Sequence, residues 1–179
     1  MPRRSRPDRP DLHSEQLDGA RHDRQGFTCG NQALDNYIRT QASQDVRKSA
    51  AACFVLTPDG RTIAGYYTLS QHAVRLDVIP PEIARQFPKY PDIPATLIGR
   101  LARSLAYRGQ GVGELLLIDA LERIVSLTPL IASAAVVIVD AKDDEGKGLY
   151  TKFQFIELPN HPNRLVLPMA TAEDLVRGE

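Results

Sequence analysis

The segment from residue 96 to residue 140 constrains the fold more than any other part of the chain. A strand-like run over residues 96–105 is followed by a glycine-rich loop and then by an apolar stripe at helical spacing over residues 111–127. A β-branched run follows at residues 134–140. A long apolar helix between two apolar strands is typical of a crossover connection, so we expect these strands to be parallel in a mixed sheet. The chain is therefore predicted to have an α/β fold.

The remaining ordered sequence predicts short helices and strands without internal repeats. A helix is expected over residues 31–47 with Asn31 as its N-cap, because Leu34, Tyr37, Ile38 and Ala42 fall on one face. Further predicted elements are strands at 51–57 and 62–70 around the turn Pro58-Asp-Gly60, a helical turn near 82–86, a helix at 145–152, and strands at 154–158 and 164–168.

Composition indicates a globular chain with a polar N-terminus. Residues 1–14 combine arginines and prolines without periodicity and are expected to form a disordered basic arm, and residues 15–179 a single domain. The arm has no apolar segment typical of a secretory signal, and no run approaches the length of a membrane span. Cys29 and Cys53 are too few for a disulfide scaffold or a zinc site. We therefore expect a cytoplasmic protein that binds no membrane.

Charge is balanced overall but unevenly distributed along the chain. Residues 1–108 hold 16 Lys or Arg against 11 Asp or Glu, and residues 109–179 hold 6 against 11. The basic part is compatible with a phosphate-bearing partner. An uneven but merely solvated surface explains the same numbers equally well.

The glycine loop, Arg108-Gly-Gln-Gly-Val-Gly113, is the strongest candidate binding site. It lies where a strand ends and the clearest helix begins, and the first amides of a helix have no internal acceptor and attract phosphate. Glu114 and Leu115 follow, so the Lys-Ser/Thr of a P-loop and the last glycine of a dinucleotide fingerprint are both missing. Two interpretations of the loop remain open: it binds a diphosphate in a protein of another class, or it is a glycine-rich connection that binds no ligand.

The spacing of Arg108, Gly111 and Gly113 resembles the pyrophosphate loop of the GNAT acetyltransferase superfamily. The wider sequence is similar to the toxin-like acetyltransferases of that superfamily that are paired with ribbon-helix-helix antitoxins. The matching stretches are Phe27-Thr-Cys-Gly30 with Leu34-Asp-Asn-Tyr37, Ile63-Ala-Gly-Tyr-Tyr-Thr-Leu-Ser70, Gly99-Arg-Leu-Ala102, Val139-Asp-Ala-Lys-Asp-Asp-Glu145 with Leu149-Tyr-Thr-Lys-Phe-Gln-Phe155, and Asn163-Arg-Leu-Val-Leu-Pro-Met169.

The resemblance implies a GNAT-like, mostly antiparallel mixed sheet whose central strands splay apart between flanking helices. It implies acetyl-CoA as cosubstrate, with no metal. Backbone amides of the strand before the loop would hold the acetyl carbonyl and pantetheine arm, and those of the loop the diphosphate; the residues concerned are Leu101, Ala102, Arg103, Arg108, Gly109, Gln110, Gly111, Val112 and Gly113. This sequence departs from the usual pattern at Arg103 and Ser104, where an apolar residue and an aspartate are common, and at Gln154, where glycine is common.

By the same resemblance, Tyr150 is the candidate proton donor to the departing thiolate. A phenol with an ordinary pKa of about 10 stays protonated at neutral pH, which suits that role. The alternative is a tyrosine that only packs its ring against the sheet. No general base stands out, because the four histidines show no carboxylate partner in the sequence and are expected at surface or loop positions. Asp140, Asp143 and Asp144 are interpreted as strand-end and helix-capping acids.

Three functions remain open at this stage. The first, implied by the resemblance, is a toxin that acetylates the α-amine of aminoacyl-tRNA and so blocks translation. The net positive charge of residues 1–108, which include Arg75, Arg85, Lys89 and Arg100, is compatible with contacts to tRNA phosphates.

 The second function is an N-acetyltransferase for a small molecule or a protein, and the third is a non-catalytic module that holds CoA, which the departures at Arg103 and Gln154 keep open. The partners implied by the resemblance are acetyl-CoA, aminoacyl-tRNA, a ribbon-helix-helix antitoxin and a second copy of the chain in a homodimer.

Overall fold

The computed structural model describes residues 10–178. Its seven strands are β1 (His13–Gln16), β2 (Ala52–Thr57), β3 (Gly65–Arg75), β4 (Asp92–Arg103), β5 (Val136–Asp140), β6 (Ile156–Leu158) and β7 (His161–Pro168). Its α-helices are α1 (Gln32–Asn36), α2 (Ala42–Arg47), α3 (Pro81–Ala84), α4 (Val112–Ile131), α5 (Asp144–Lys152) and α6 (Met169–Arg177). The strands form one sheet in the order β1-β2-β3-β4-β5-β7-β6.

The pairing of the strands confirms the predicted mixed sheet. β4 and β5 are parallel, with a register that runs from Ala95 opposite Val136 to Ile98 opposite Val139. The pairs β1–β2, β5–β7 and β6–β7 are antiparallel. Because α4 lies between β4 and β5 in sequence, the predicted crossover connection is present, and the α/β fold is confirmed.

The described chain forms two compact units. The first contains the described residues up to Tyr67 together with Leu101–Leu116. In its core, Tyr66 contacts the ring of Phe27 edge-on at 5.4 Å and stacks on Tyr37 at 6.3 Å, and its hydroxyl donates to the carbonyl of Leu34. These aromatic contacts fix the first helical segment against β3.

The second unit contains Thr68–Arg100 and the described residues from Leu117 onward. β5 lies at its centre, and all four residues from Val136 to Val139 are buried. Burial on both faces explains why this strand is a continuous β-branched run in the sequence rather than an alternating one. Val136 and Ile138 share a core cluster with residues that include Ile93 and Ala95 of β4 and Val166 of β7.

The helical segment over residues 31–47 begins as predicted and contains an irregularity that the sequence did not indicate. The side chain of Asn31 accepts from the amides of Ala33 and Leu34, which confirms the N-cap. A π-helical turn, Tyr37–Gln41, separates α1 from α2. The predicted apolar face is confirmed, since Leu34, Tyr37, Ile38 and Ala42 are all buried.

Several boundaries differ from the prediction. β1 includes His13 and Ser14, which were assigned to the disordered arm; the rest of that prediction falls largely outside the described residues. β3 begins at Gly65 rather than at residue 62, because the carboxylate of Asp59 accepts from the amides of Arg61 and Thr62 and lengthens the turn. α6 was not predicted at all.

His22 has a carboxylate partner that could not be read from the sequence, while its loop position agrees with the prediction for the four histidines. It lies in a loop but is buried. Its Nδ1 accepts from the amide of Asp18, and its Nε2 is 3.0 Å from Glu15 Oε1. The partner comes from β1, the strand that the sequence analysis missed, so the pairing could not be seen beforehand.

The described residues include no helix that is both long and apolar enough to cross a membrane. The two cysteines are free, and Cys53 is buried in the core as its apolar neighbours predicted.

Candidate active site

The strand-to-helix connection before α4 is fixed by hydrogen bonds within the first unit. The amide of Ser104 donates to the carbonyl of Ala64, and the amide of Leu105 donates to the carbonyl of Thr28, both at 2.9 Å. The Ser104 side chain then caps a short 3₁₀ turn, Leu105–Tyr107, by accepting from the amide of Ala106. The glycine loop therefore starts from an anchored position.

Two glycines give this loop its shape. Gly109 and Gly111 have φ values of +75° and +74°, in the left-handed region that other residues rarely adopt. A Cβ at either position would meet no atom within 4 Å. The space beside the loop is thus open to a ligand, and the glycines are required by backbone conformation rather than by crowding.

The amides at the start of α4 are the donors that the loop offers. The first helical bond runs from the amide of Leu115 to the carbonyl of Gly111. The preceding amides of Gly111, Val112 and Gly113 therefore have no acceptor within the helix. This is the arrangement that binds phosphate at a helix N-terminus.

The structure separates the predicted loop residues into two groups. The amides of Arg108 and Gln110 donate to the carbonyls of Leu105 and Tyr107 inside the loop, so they are not available to a ligand. The side chain of Arg108 is exposed and remains a candidate for a charge contact. The donors that remain are those of the glycines and Val112.

Gly65 is a positioning residue that the sequence analysis did not single out. A Cβ on Gly65 would lie 2.6 Å from Leu116 Cδ1 and 3.0 Å from the carbonyl oxygen of Ala102. The absence of a side chain lets the first turns of α4 approach β3 and the end of β4 closely. A glycine within an apolar strand was the signal that could have indicated it.

The end of β4 extends past its ladder with β5. The parallel register covers Ala95–Ile98, whereas β4 continues to Arg103. Of the three residues predicted to hold the acetyl and pantetheine groups, Ala102 is buried, and Leu101 and Arg103 are partly exposed. The guanidinium of Arg103 donates to the carbonyl of Ser104 at 3.4 Å.

Tyr150 lies in α5, in the second unit. Its ring packs on Phe155 at 5.6 Å, and the residue is 5% exposed. No hydrogen bond of the Tyr150 hydroxyl is found within residues 10–178. The hydroxyl is not fully buried either, because Nε of Arg39 is the only fully buried side-chain nitrogen or oxygen without a partner in those residues. The Tyr150 hydroxyl therefore reaches solvent. A buried ring with an accessible hydroxyl is the geometry that a proton donor needs.

The surroundings of Tyr150 keep its phenol protonated. Burial raises the pKa of Tyr150 well above its usual value of 10, and the negative charges of Asp143 and Asp140 raise it further. Asp143 is the N-cap of α5, as predicted, and accepts from the amide of Gly146 at 2.7 Å. Asp140, at the end of β5, accepts two hydrogen bonds from Arg164 of β7.

Gln154 follows α5 with a φ of +67°. Its amide donates to the carbonyl of Thr151 and closes the helix end. This is the position where the resembling family commonly has glycine, and the backbone conformation explains that preference.

The described residues contain no group of three or more His, Cys, Asp or Glu side chains that could hold a metal ion. A mixed sheet with a parallel strand pair and a glycine loop at the start of the crossover helix is the arrangement of the GNAT-type acetyltransferases that the sequence resembles.

Comparisons with known proteins agree with this class. No protein-family model matches the chain. It is 35% identical to the probable toxin TacT of Sinorhizobium fredii, over 90% of this chain and 93% of the relative. It is 33% identical to a tRNA-acetylating toxin of Mycobacterium tuberculosis, over 84% of this chain and 88% of the relative.

Two solved structures extend the match. AtaT complexed with acetyl-methionyl-tRNAfMet has a TM-score of 0.83 at 28% identity, covering 92% of this chain and 99% of AtaT. A Tyr-to-Phe mutant of AtaT bound to the C-terminus of the antitoxin AtaR and to acetyl-CoA has a TM-score of 0.78 at 25% identity, covering 93% and 99%. The chain belongs to the family of GNAT-type tRNA-acetylating toxins of toxin–antitoxin systems.

Proposed function

We propose that this chain transfers the acetyl group of acetyl-CoA to the α-amine of aminoacyl-tRNA and thereby stops translation. The observation that carries the proposal is the pair of left-handed glycines, Gly109 and Gly111, directly before the first amides of α4. They form an open diphosphate cradle in a chain whose relatives include a tRNA-acetylating toxin. An N-acetyltransferase acting on free metabolites or peptides would use the same cradle, so the acceptor has to be tested directly.

Binding of acetyl-CoA is assigned to the loop and to the end of β4. The amides of Gly111, Val112 and Gly113 would donate to the diphosphate, with Arg108 adding positive charge at the exposed rim. The backbone of residues 101–103, which lies beyond the register with β5, would hold the acetyl carbonyl and the pantetheine arm. Contacts through the backbone tolerate Arg103, since they do not depend on its side chain.

Acetyl-CoA supplies the activated acyl group, and Tyr150 supplies a proton. The hydroxyl of Tyr150 would donate its proton to the sulfur as the thioester bond breaks, which turns a poor leaving group into a neutral thiol. The raised pKa keeps this proton in place at every physiological pH. Solvent can accept the proton that the amine loses and can return a proton to the Tyr150 oxygen, which restores the phenol, so the proposal needs no dedicated base.

The family also suggests partners for this chain. We assign to it a cytoplasmic location, where acetyl-CoA and charged tRNA occur, and neutralisation by an antitoxin of the ribbon-helix-helix type. A homodimer is proposed as its oligomeric state. The AtaT structure with the C-terminus of AtaR supports the existence of an antitoxin partner, while the antitoxin's fold and the homodimer rest on the sequence resemblance.

The test is to incubate the purified chain with labelled acetyl-CoA and charged total tRNA. Label is expected on the aminoacyl group and not on deacylated tRNA, and Tyr150→Phe should lose most of it. Free polyamines and a peptide mixture serve as competing acceptors in parallel reactions. Label that appears only on these acceptors would show that the chain is an acetyltransferase of another substrate class.

A further inference from the structure

A cleft of about 610 Å³ lies in the second unit, and none of the residues that line it was assigned a role in acetyl transfer. It is formed by two short segments, residues 75–77 and residues 89–92. The amide of Leu76 donates to the carbonyl of Pro91 and ties the two segments together. The cleft is therefore a defined feature of the surface, and the function described above does not use it.

Tyr90 is an exposed aromatic side chain that lines the cleft. It is 66% exposed, although large aromatic side chains are usually buried. Prolines lie on both sides of the Lys89-Tyr90 pair, and the amide of Tyr90 donates to the carbonyl of Pro88. The two prolines restrict the backbone on either side of Tyr90, and its exposed ring offers an accessible face on which an aromatic ligand could stack.

The charges of the cleft limit what can bind. Arg75 is paired with Asp77, and Asp92 adds a second negative charge near the same guanidinium. The Lys89 ammonium forms no ion pair or hydrogen bond with any residue in the described part of the chain. Two acids and one available cation do not suit a phosphate-rich duplex. They suit a single unpaired nucleotide, with its base on Tyr90 and its phosphate on Lys89.

We propose that this cleft binds one unpaired nucleotide of the tRNA acceptor by stacking its base on Tyr90. The assignment rests on the proposed function, because it makes the single-stranded end of a charged tRNA the ligand. It adds a recognition site for the nucleic acid that is separate from the cradle for acetyl-CoA. Tyr90 and Lys89 are binding residues in this proposal and take no part in acetyl transfer.

The absence of tryptophan from the chain allows a direct binding experiment. Tyr90→Trp places the only indole of the protein in the cleft, where base stacking should quench its fluorescence. The probes are a single-stranded RNA tetranucleotide, deacylated total tRNA and a blunt RNA duplex. We expect saturable quenching by the first two and none by the duplex; equal responses to all three, or no response, would overturn the proposal.

Activity measurements separate this inference from the proposed function. Tyr90→Ala should raise the KM for charged tRNA roughly 5- to 100-fold and leave the Kd for acetyl-CoA unchanged, whereas Tyr90→Phe should retain stacking and a near-normal KM. Lys89→Gln should raise the KM less and weaken its salt dependence. Circular dichroism checks that each exposed variant is folded.

Each failure has its own meaning. If the unaltered chain acetylates charged tRNA and Tyr90→Ala keeps its KM, the cleft assignment is wrong and the proposed function stands. If the unaltered chain acetylates no tRNA, the proposed function is wrong and the fluorescence titration alone decides about the cleft. If Tyr90→Ala weakens antitoxin binding without affecting RNA, the cleft is a protein-binding site and the proposal fails.

Discussion

Arg164 donates to both carboxylate oxygens of Asp140, from Nε at 2.7 Å and from Nη2 at 2.8 Å. The two residues are direct partners in the register of β5 and β7. The guanidinium holds the pKa of Asp140 below its usual value of 3.8, with burial acting in the opposite direction. This pair places a carboxylate that is charged at neutral pH close enough to Tyr150 to raise the pKa of its phenol.

The Asp140–Arg164 pair should contribute a modest, pH-dependent stability. A double-mutant cycle with Asp140→Asn and Arg164→Gln is expected to give a coupling free energy of about 0.5–1 kcal/mol at pH 7, because the pair is bidentate but partly exposed. Since the pKa of Asp140 is lower in the folded state, the coupling is present above pH 3.8 and disappears as the pH falls through the folded pKa. Urea unfolding at several pH values measures it; a coupling that grows on acidification would contradict the assignment.

Tyr150→Phe should remove catalysis while leaving the fold and the cosubstrate site intact. We expect kcat to fall by about 10²-fold or more, because the leaving sulfur loses its proton donor, while the Kd for acetyl-CoA stays the same. Calorimetry measures the Kd for acetyl-CoA, and a labelled-acetyl assay measures kcat. In the unaltered protein, activity should show no decline caused by phenol ionisation up to pH 10, since burial raises the pKa of Tyr150 above that value.

Gly111→Ala should weaken acetyl-CoA binding beyond its effect on stability. Alanine at a φ of +74° is strained by about 1–2 kcal/mol, and its Cβ would project into the open space of the cradle. Gly178→Ala is the matched control, because Gly178 has a similar φ of +79° and equally open surroundings but lies at the end of α6. Both variants should lose similar stability in thermal unfolding, and only Gly111→Ala should raise the Kd for acetyl-CoA, by roughly tenfold.

Gln154→Gly should stabilise the end of α5. A non-glycine residue at a φ of +67° carries a conformational cost that glycine avoids, partly offset by the greater freedom of glycine in the unfolded chain. We expect a gain of about 0.5–1 kcal/mol in the free energy of unfolding. Gln154→Ala retains the strain and should show no gain, so equal stability of the two variants would refute the explanation.

The sequence alone was sufficient for the crossover and for the start of the first helix. A helical apolar stripe after a strand is a local pattern, and the Asn31 cap is a contact within three residues, so both are visible without a structure. β1 was missed because its four residues, His13–Gln16, carry no apolar alternation. Its existence depends on pairing with β2, which lies far along the chain.

The candidate site was predictable only where it is local. The glycine loop was identified from residue spacing, but the hydrogen bonds that occupy the amides of Arg108 and Gln110 depend on the 3₁₀ turn before it. The proximity of Arg164 to Asp140 comes from strand register across 24 residues of sequence. Gly65 is important because Leu116 packs against it, which is a tertiary contact that spacing does not reveal.

The parallel pairing of β4 and β5 bears on how the chain assembles. β4 and β5 can pair only after the connection between them has folded back across the sheet, and this connection contains both the glycine loop and α4. Completion of the sheet is thus a late, non-local event in folding. A newly synthesised chain should therefore complete its sheet only after β5 has left the ribosome, so the strand pair β4–β5 forms late in synthesis.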